Sequence, residues 1–273
     1  MNSNIAILTT VINPELYQKS SRLFPQNIQK YVIDGTNGMY GLDSIFYMMK
    51  KLKGKGIEWL IMADEDVLFV NTQGVFSIIE EMKLNDYMIS GIRDGGEIQN
   101  RHKSPYVINT FFSIINFKEL ELIWNKREVI KNHYILEDEF DDDLKSLKGN
   151  YETTSLYELY YCFYFWLRRK GKRILFLNAS TPFLEDRLTT LVHDTDGEVL
   201  LYHTWYARTY GISKTHTDRI NKIFELLNFE NIIESKPIVF KHKTFFIIKN
   251  ARKLYKRIQM RIQVILNKKF KRL

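Results

Sequence analysis

The chain has 273 residues, 45% hydrophobic and 26% charged, which is the make-up of a folded soluble protein and excludes a disordered or low-complexity one. Forty Lys+Arg against 32 Asp+Glu give a formal net charge of +8, a balance that invites a polyanionic partner unless the charges are segregated. The single cysteine, Cys162, excludes an intrachain disulfide and a paired-cysteine zinc site, and fits a reducing cytoplasm.

In chain order, residues 1–10 have no basic leader segment and read as a first strand rather than a secretory signal. Residues 4–11 (NIAILTTV) are apolar and β-branched up to Asn13-Pro14, where a helix is expected to begin near Glu15. Residues 31–34 (YVID) form a second strand closed by Gly35-Thr36-Asn37-Gly38. Residues 42–52 carry Ile45, Phe46, Met49 and Leu52 at helical spacing, with lysines at the end and Gly54 after it. Residues 57–63 (IEWLIMA) are a third strand, ending in Asp64-Glu65-Asp66. A helix over 72–82 and a strand over 87–92 follow, the latter ending in Arg93-Asp94-Gly95-Gly96.

The second half adds a strand at 108–116, a helix from 118, an apolar core helix over 156–169 with a basic last turn, and a strand at 173–178. Residues 199–203 read as the last strand before a polar helix over 217–227. The longest apolar stretches, 156–167 and 107–117, fall short of the ~20 residues that cross a bilayer, so no transmembrane helix is expected.

Strands alternating with helices imply βαβ units, a mostly parallel central sheet and helices on both faces. Ligands of such sheets bind beyond the carboxyl ends of the strands. Asn13, Asp34, the 64–66 cluster and Asp94 all fall there, so one crevice could collect them.

If residues 64–66 continue the extended strand, Asp64 and Asp66 share one face and Glu65 takes the other. Two carboxylates side by side suit Mg²⁺ or Mn²⁺, which keep positions open for substrate phosphates. The alternative is a solvated acidic turn.

With residues 59–69 (WLIMADEDVLF) the chain resembles the GT-A fold nucleotide-sugar glycosyltransferases, in which a DxD motif follows a hydrophobic strand. The strand ending in Thr9-Thr10, Asp34, residues 109–116 (NTFFSIIN) and residues 202–206 (YHTWY) look like further parts of that class, so the likeness covers about residues 4 to 210. It implies a Rossmann-like GT-A domain. Asp64 and Asp66 would hold Mn²⁺ or Mg²⁺ and bridge it to the diphosphate of a donor, with UDP-sugar expected. His203 would be the third ligand, ahead of His193. Thr9, Thr10, Asn13 and Asp34 would line the nucleoside site, and Trp205 and Tyr206 would pack against sugar rings; for each, ordinary turn, cap or core chemistry is the alternative. An inverting transferase also needs a general base. Asp94, between Arg93 and two glycines, is the first candidate, and Asp138 in the acidic run 137–143 the second, against a plain turn residue and a solvated run. Glu158 is expected in a structural ion pair.

The charges are segregated. Residues 236–273 hold 13 Lys+Arg and no Asp or Glu, leaving 27 basic and 32 acidic residues, a net of −5, in 1–235. The chain is therefore divided into a catalytic domain, 1–235, and a basic helical tail, 236–273. In the tail Ile247, Ala251, Leu254, Ile258, Ile262 and Ile265 recur at steps of three and four among lysines and arginines. A basic amphipathic helix of this kind suits an anionic membrane surface; a helix folded back on the domain and a homodimer contact are the alternatives, with nucleic acid less favoured. The expectation is a transferase at the inner face of the cell membrane, moving a sugar onto a glycan or lipid-linked glycan of the cell surface. The competing readings are a nucleotidyltransferase of similar fold, against which stands the lack of a Gly-rich phosphate loop after the first strand, and a non-catalytic membrane- or nucleic-acid-binding protein.

Overall fold

The structure, a computed structural model, describes residues 4–227 and 235–270; of residues 256 and 261–270 only the backbone is described. The first half runs β1 (Ile5–Val11), α1 (Pro14–Ser20), β2 (Gln29–Asp34), α2 (Leu42–Leu52), β3 (Trp59–Ala63), β4 (Val67–Phe69), α3 (Thr72–Leu84) and β5 (Tyr87–Arg93). The second half runs β6 (Ile108–Asn116), α4 (Phe117–Ile123), α5 (Lys126–Lys131), α6 (Tyr161–Arg169), β7 (Arg173–Leu177), β8 (Ala179–Ser180), β9 (Thr190–His193), β10 (Val199–His203), α7 (Lys214–Leu226), β11 (Ile238–Phe240) and α8 (Phe245–Phe270).

Among the described residues two sheets form, one of seven strands in the order β11-β2-β1-β3-β6-β5-β7 and one of four in the order β4-β10-β9-β8. In the large sheet β11, β2, β1 and β3 run parallel, as do β5 and β7, while β6 lies antiparallel between β3 and β5. This is the mixed α/β architecture with a mostly parallel sheet that the alternation of elements implies.

The strands are apolar on both sides because both sides are covered. In β3, Leu60 packs into one core with α2 and α6, while Trp59, Ile61 and Ala63 pack into the other with α3. Successive residues of an extended chain point to opposite faces, so one short strand serves both layers. Gly91 in β5 is required by that closeness: a Cβ there would lie 2.6 Å from Cγ2 of Ile108 on β6.

Three expectations are corrected. Residues 64–66 do not continue the strand: the Val67 amide bonds the Asp64 carbonyl at 3.1 Å, closing a turn that sends β4 into the second sheet. The helix expected from 156 begins only at Tyr161, and Tyr157 and Leu159 stand exposed before it, because that segment follows the cleft rim, where Tyr157 carries Lys103 on its ring. Residues 199–203 are not the last strand; β11 follows and extends the large sheet beside β2. The sheet thus draws its edge strand from beyond residue 235, and Phe245 of α8 is buried in the core as well.

Candidate metal centre

The carboxyl ends of β1 and β3 and the antiparallel start of β6 meet at one end of the sheet, where a cleft of about 500 Å³ opens. Asp64 is fixed there by its amide, which bonds the Phe111 carbonyl of β6 at 2.8 Å. Asp66 is fixed from the other sheet: its carbonyl accepts the Thr204 amide at 3.0 Å, just past the end of β10. β10 pairs with β4 so that His203 lies opposite Val67, which brings an imidazole 137 positions along the chain against the aspartate next to Val67.

Ligand atoms of Asp64, Asp66 and His203 all lie within 4.8 Å of one another. Nε2 of His203 is 3.3 Å from Oδ1 of Asp66. Asp66 and His203 are buried and Asp64 is half-buried. The imidazole stacks on Phe111 with ring centres 4.0 Å apart and planes 10° from parallel, and touches the Trp205 indole at 4.3 Å. Its Nδ1 is buried without a hydrogen-bond partner, so ring packing rather than a hydrogen bond sets its orientation.

Glu65 also turns inward. Its Oε1 accepts the amides of Ile12 and Asn13 at 2.9 and 3.0 Å, tying the end of β1 to the acidic turn. Burial, and then the charge of Asp66, pushes its carboxyl up to about 7. Burial, then Asp66 and Glu65, pushes the Asp64 carboxyl well above the usual carboxylate range, with Arg208 opposing. Three acids crowded in a buried turn are an electrostatic liability that a divalent cation removes. Two carboxylates and an imidazole are also a donor set that Mn²⁺ accepts, whereas Mg²⁺ would be held mainly by the carboxylates. The residues therefore fit a metal ion.

The turn after His203 is strained: Trp205 and Tyr206 have φ of 57° and 65°, left-handed values that bulky side chains avoid. It is held from several directions. Arg219 of α7 donates to the carbonyls of both Thr204 and Trp205 and to Oγ1 of Thr189, the Trp205 indole donates to Thr190, and the Asn13 side chain donates to the carbonyls of Ala207 and Tyr210. The turn carries Tyr206 and Arg208 into the cleft wall, and the Arg208 guanidinium lies 4.8 Å from the ring centre of Tyr40 across the opening.

Of the residues expected in the site, Asp64, Asp66, His203, Trp205 and Thr10 line the cleft; Thr10 also bonds Ser44 of α2. Thr9 is buried in β1 and Asn13 caps α1, so neither is in the lining. Asp34 is likewise outside it, bonded to Thr36 and 3.5 Å from Lys241. His193 is spent on Ser180 and the Gly197 carbonyl. Asp94 is no free base. It is fully buried and gripped by the Arg101 fork, with two contacts of 2.7 Å, by Asn109 at 2.5 Å, and by the hydroxyls of Tyr160 and Tyr161. Its effect on the cleft is indirect, through Arg101, Asn109 and Tyr160, which line it. Asp138 is exposed and outside the cleft, and the neighbouring acids are spent on structural pairs: Glu139 forks onto Arg169, and Asp142 joins Arg93 to Arg168.

Glu65, Arg208, Tyr40 and Arg101 are cleft residues that sequence reasoning missed. A signal existed for Glu65, since any turn rather than a strand at 64–66 frees the middle acid to point inward; none existed for the others. Glu158 does form an ion pair, 3.4 Å from Arg101, yet its carboxylate is also part of the cleft wall.

No family model matches the chain, and no curated protein matches it. Among solved structures it is similar to A197 from STIV, at 11% identity and a TM-score of 0.37 over 73% of this chain and 93% of that one. It is also similar to a glycosyltransferase involved in the glycosylation of the major capsid of PBCV-1, at 15% identity and a TM-score of 0.30 over 54% and 79% of the two chains. A third similar structure is the glycosyltransferase GlyE of Streptococcus pneumoniae TIGR4, at 10% identity and a TM-score of 0.35 over 86% and 66%.

Proposed function

We propose that the chain is a divalent-metal-dependent glycosyltransferase that takes a nucleotide-diphosphate sugar, UDP-linked, and passes the sugar to a glycan hydroxyl. The observation that carries this reading is the convergence of Asp64, Asp66 and His203 at the strand ends of a cleft whose wall also carries a guanidinium. Asp64, Asp66 and His203 would hold Mn²⁺ or Mg²⁺, which when bound supplies Lewis-acid stabilisation of the departing diphosphate. Arg208 adds a second positive charge on the rim, suited to phosphate oxygens. Tyr40, Trp205 and Tyr206 offer aromatic surface to the nucleoside and the sugar. Among the described residues lining the cleft, Glu158 is the carboxylate engaged neither in the metal cluster nor in holding β1. The contact with the acceptor hydroxyl expected of Asp94 or Asp138 therefore falls to it.

The test is thermal stabilisation by UDP with and without Mn²⁺. The wild-type chain should gain about 2.7 kcal/mol at a hundredfold excess of ligand over its dissociation constant, and only with metal. Asp64→Asn and Asp66→Asn should abolish the gain while still melting cooperatively. Equal stabilisation of the wild type and both variants would overturn the assignment.

A further inference from the structure

α8 packs on the domain through the side that amphipathicity would not select. Phe245 is buried in the core, Lys249 bonds the Gly38 carbonyl, and Arg252 reaches Asp43 at 3.1 Å. These three follow at steps of four and three, so they share one side of the helix. Ile247, Ala251, Leu254 and Ile258 follow at steps of four, three and four from a start two residues later, about 200° around the axis. That stripe points away from the domain: Ile247, Leu254 and Ile258 are 68%, 58% and 47% exposed. The tail thus folds back on the domain while its apolar stripe stays displayed.

We propose that this stripe is a docking surface for an anionic lipid bilayer, on which α8 lies in the plane of the headgroups. Charge selects the occupant. Lys253 and Arg257 flank the stripe, and residues 236–273 hold 13 Lys+Arg without one acid. A second copy meeting the first across this stripe would set the two basic flanks together with no tail carboxylate between them. A nucleic acid would meet the lysines and arginines but gain nothing from isoleucine and leucine. An anionic bilayer takes both, the apolar side chains entering the acyl boundary and the basic ones meeting headgroups. Among the described residues no helix is long and apolar enough to cross a membrane, so adsorption is the mode available to α8.

The helix is also tied to the cleft. The Lys249 ammonium lies 4.2 Å from the ring centre of Tyr40, the same ring that Arg208 approaches from the cleft wall. Docking α8 by the opposite stripe therefore holds the cleft mouth near the lipid surface, one helix diameter (~10 Å) from it. A lipid-borne acceptor follows from that placement, a consequence that rests on the transferase reading, whereas the docking surface does not.

The experiment is co-sedimentation of the full chain with vesicles of phosphatidylcholine alone and of phosphatidylcholine mixed with phosphatidylglycerol. Tight binding to the mixed vesicles alone is expected. The pair Leu254→Asp and Ile258→Asp, and separately the pair Lys253→Glu and Arg257→Glu, should each weaken it at least about tenfold with no change in melting temperature. The docking surface is overturned if both variants bind like the wild type, or if phosphatidylcholine alone binds as well. It is equally overturned if the apolar variant instead dissociates a dimer or loses binding to single-stranded nucleic acid without losing vesicles. None of these outcomes involves UDP, so they bear on the docking surface and leave the transferase reading to its own test.

Discussion

Glu65 joins the metal cluster to the framework, since the carboxylate that caps the end of β1 lies between the two candidate ligands. Its linkage to pH has a definite sign. The unfolded carboxyl titrates near 4.5 and the folded one at about 7. The folded chain without metal therefore holds this proton more tightly, and the contribution is complete below 4.5 and lost as the pH rises to about 7, on the order of 3 kcal/mol. A divalent charge beside it favours the ionised form, so metal binding near neutrality should expel a proton. Calorimetric titration with Mn²⁺ at about pH 6.5, in buffers of different protonation enthalpy, should show at least about one proton released per ion, Asp64 adding to the release from Glu65; heats independent of buffer would contradict this. Asp64, Asp66 and His203 were legible as candidates because a short buried strand delivers the pair and a later strand delivers the imidazole. The burial of Asp94 was not legible because its partners Arg101, Asn109, Tyr160 and Tyr161 stand 7, 15, 66 and 67 residues away, and an aspartate before two glycines looks the same in sequence whether it faces solvent or a buried guanidinium.

At the scale of elements, the strained turn after β10 is the part of the site most dependent on support. Two consecutive left-handed residues of this size cost on the order of 1–3 kcal/mol each. Arg219 meets that cost by holding two successive carbonyls, those of Thr204 and Trp205, directly after the histidine. Arg219→Met should therefore release the turn and weaken Mn²⁺ affinity about tenfold, as loss of a group that orients a ligand does. A lower melting temperature with Mn²⁺ affinity unchanged would make Arg219 a purely structural residue. Apart from β4, the helices and strands of the first half were legible because each is bounded by glycine, proline or a capping Asn and carries one clear period, as α2 and α3 do. The four-stranded sheet was not, because β4, β8 and β9 run only three, two and four residues, too short to establish a period. β11 was hidden by the charge around it: three apolar residues in a lysine-rich segment become a strand only because β2 offers them an edge.

For the whole molecule, the net charge of +8 resolves into an acidic stretch, 1–235, and a basic one, 236–273. Residues 1–235, which carry the cleft, are mildly acidic, so the proposed affinity for a diphosphate would gain nothing from a general positive field. Under the proposed reading it would come from the cluster itself: a cation on Asp64, Asp66 and His203, seconded by Arg208. Eight of the 13 basic residues of 236–273 lie in α8, whose Lys249 reaches Tyr40 at the cleft rim. The central claim is thus that these three side chains bind one metal ion which carries the nucleotide diphosphate. Its most direct test is an anomalous difference map from crystals grown with Mn²⁺ and UDP. The expected result is one manganese peak within coordinating distance of oxygens of Asp64 or Asp66, of Nε2 of His203 and of the diphosphate; UDP bound in the cleft with no manganese beside these residues would contradict it.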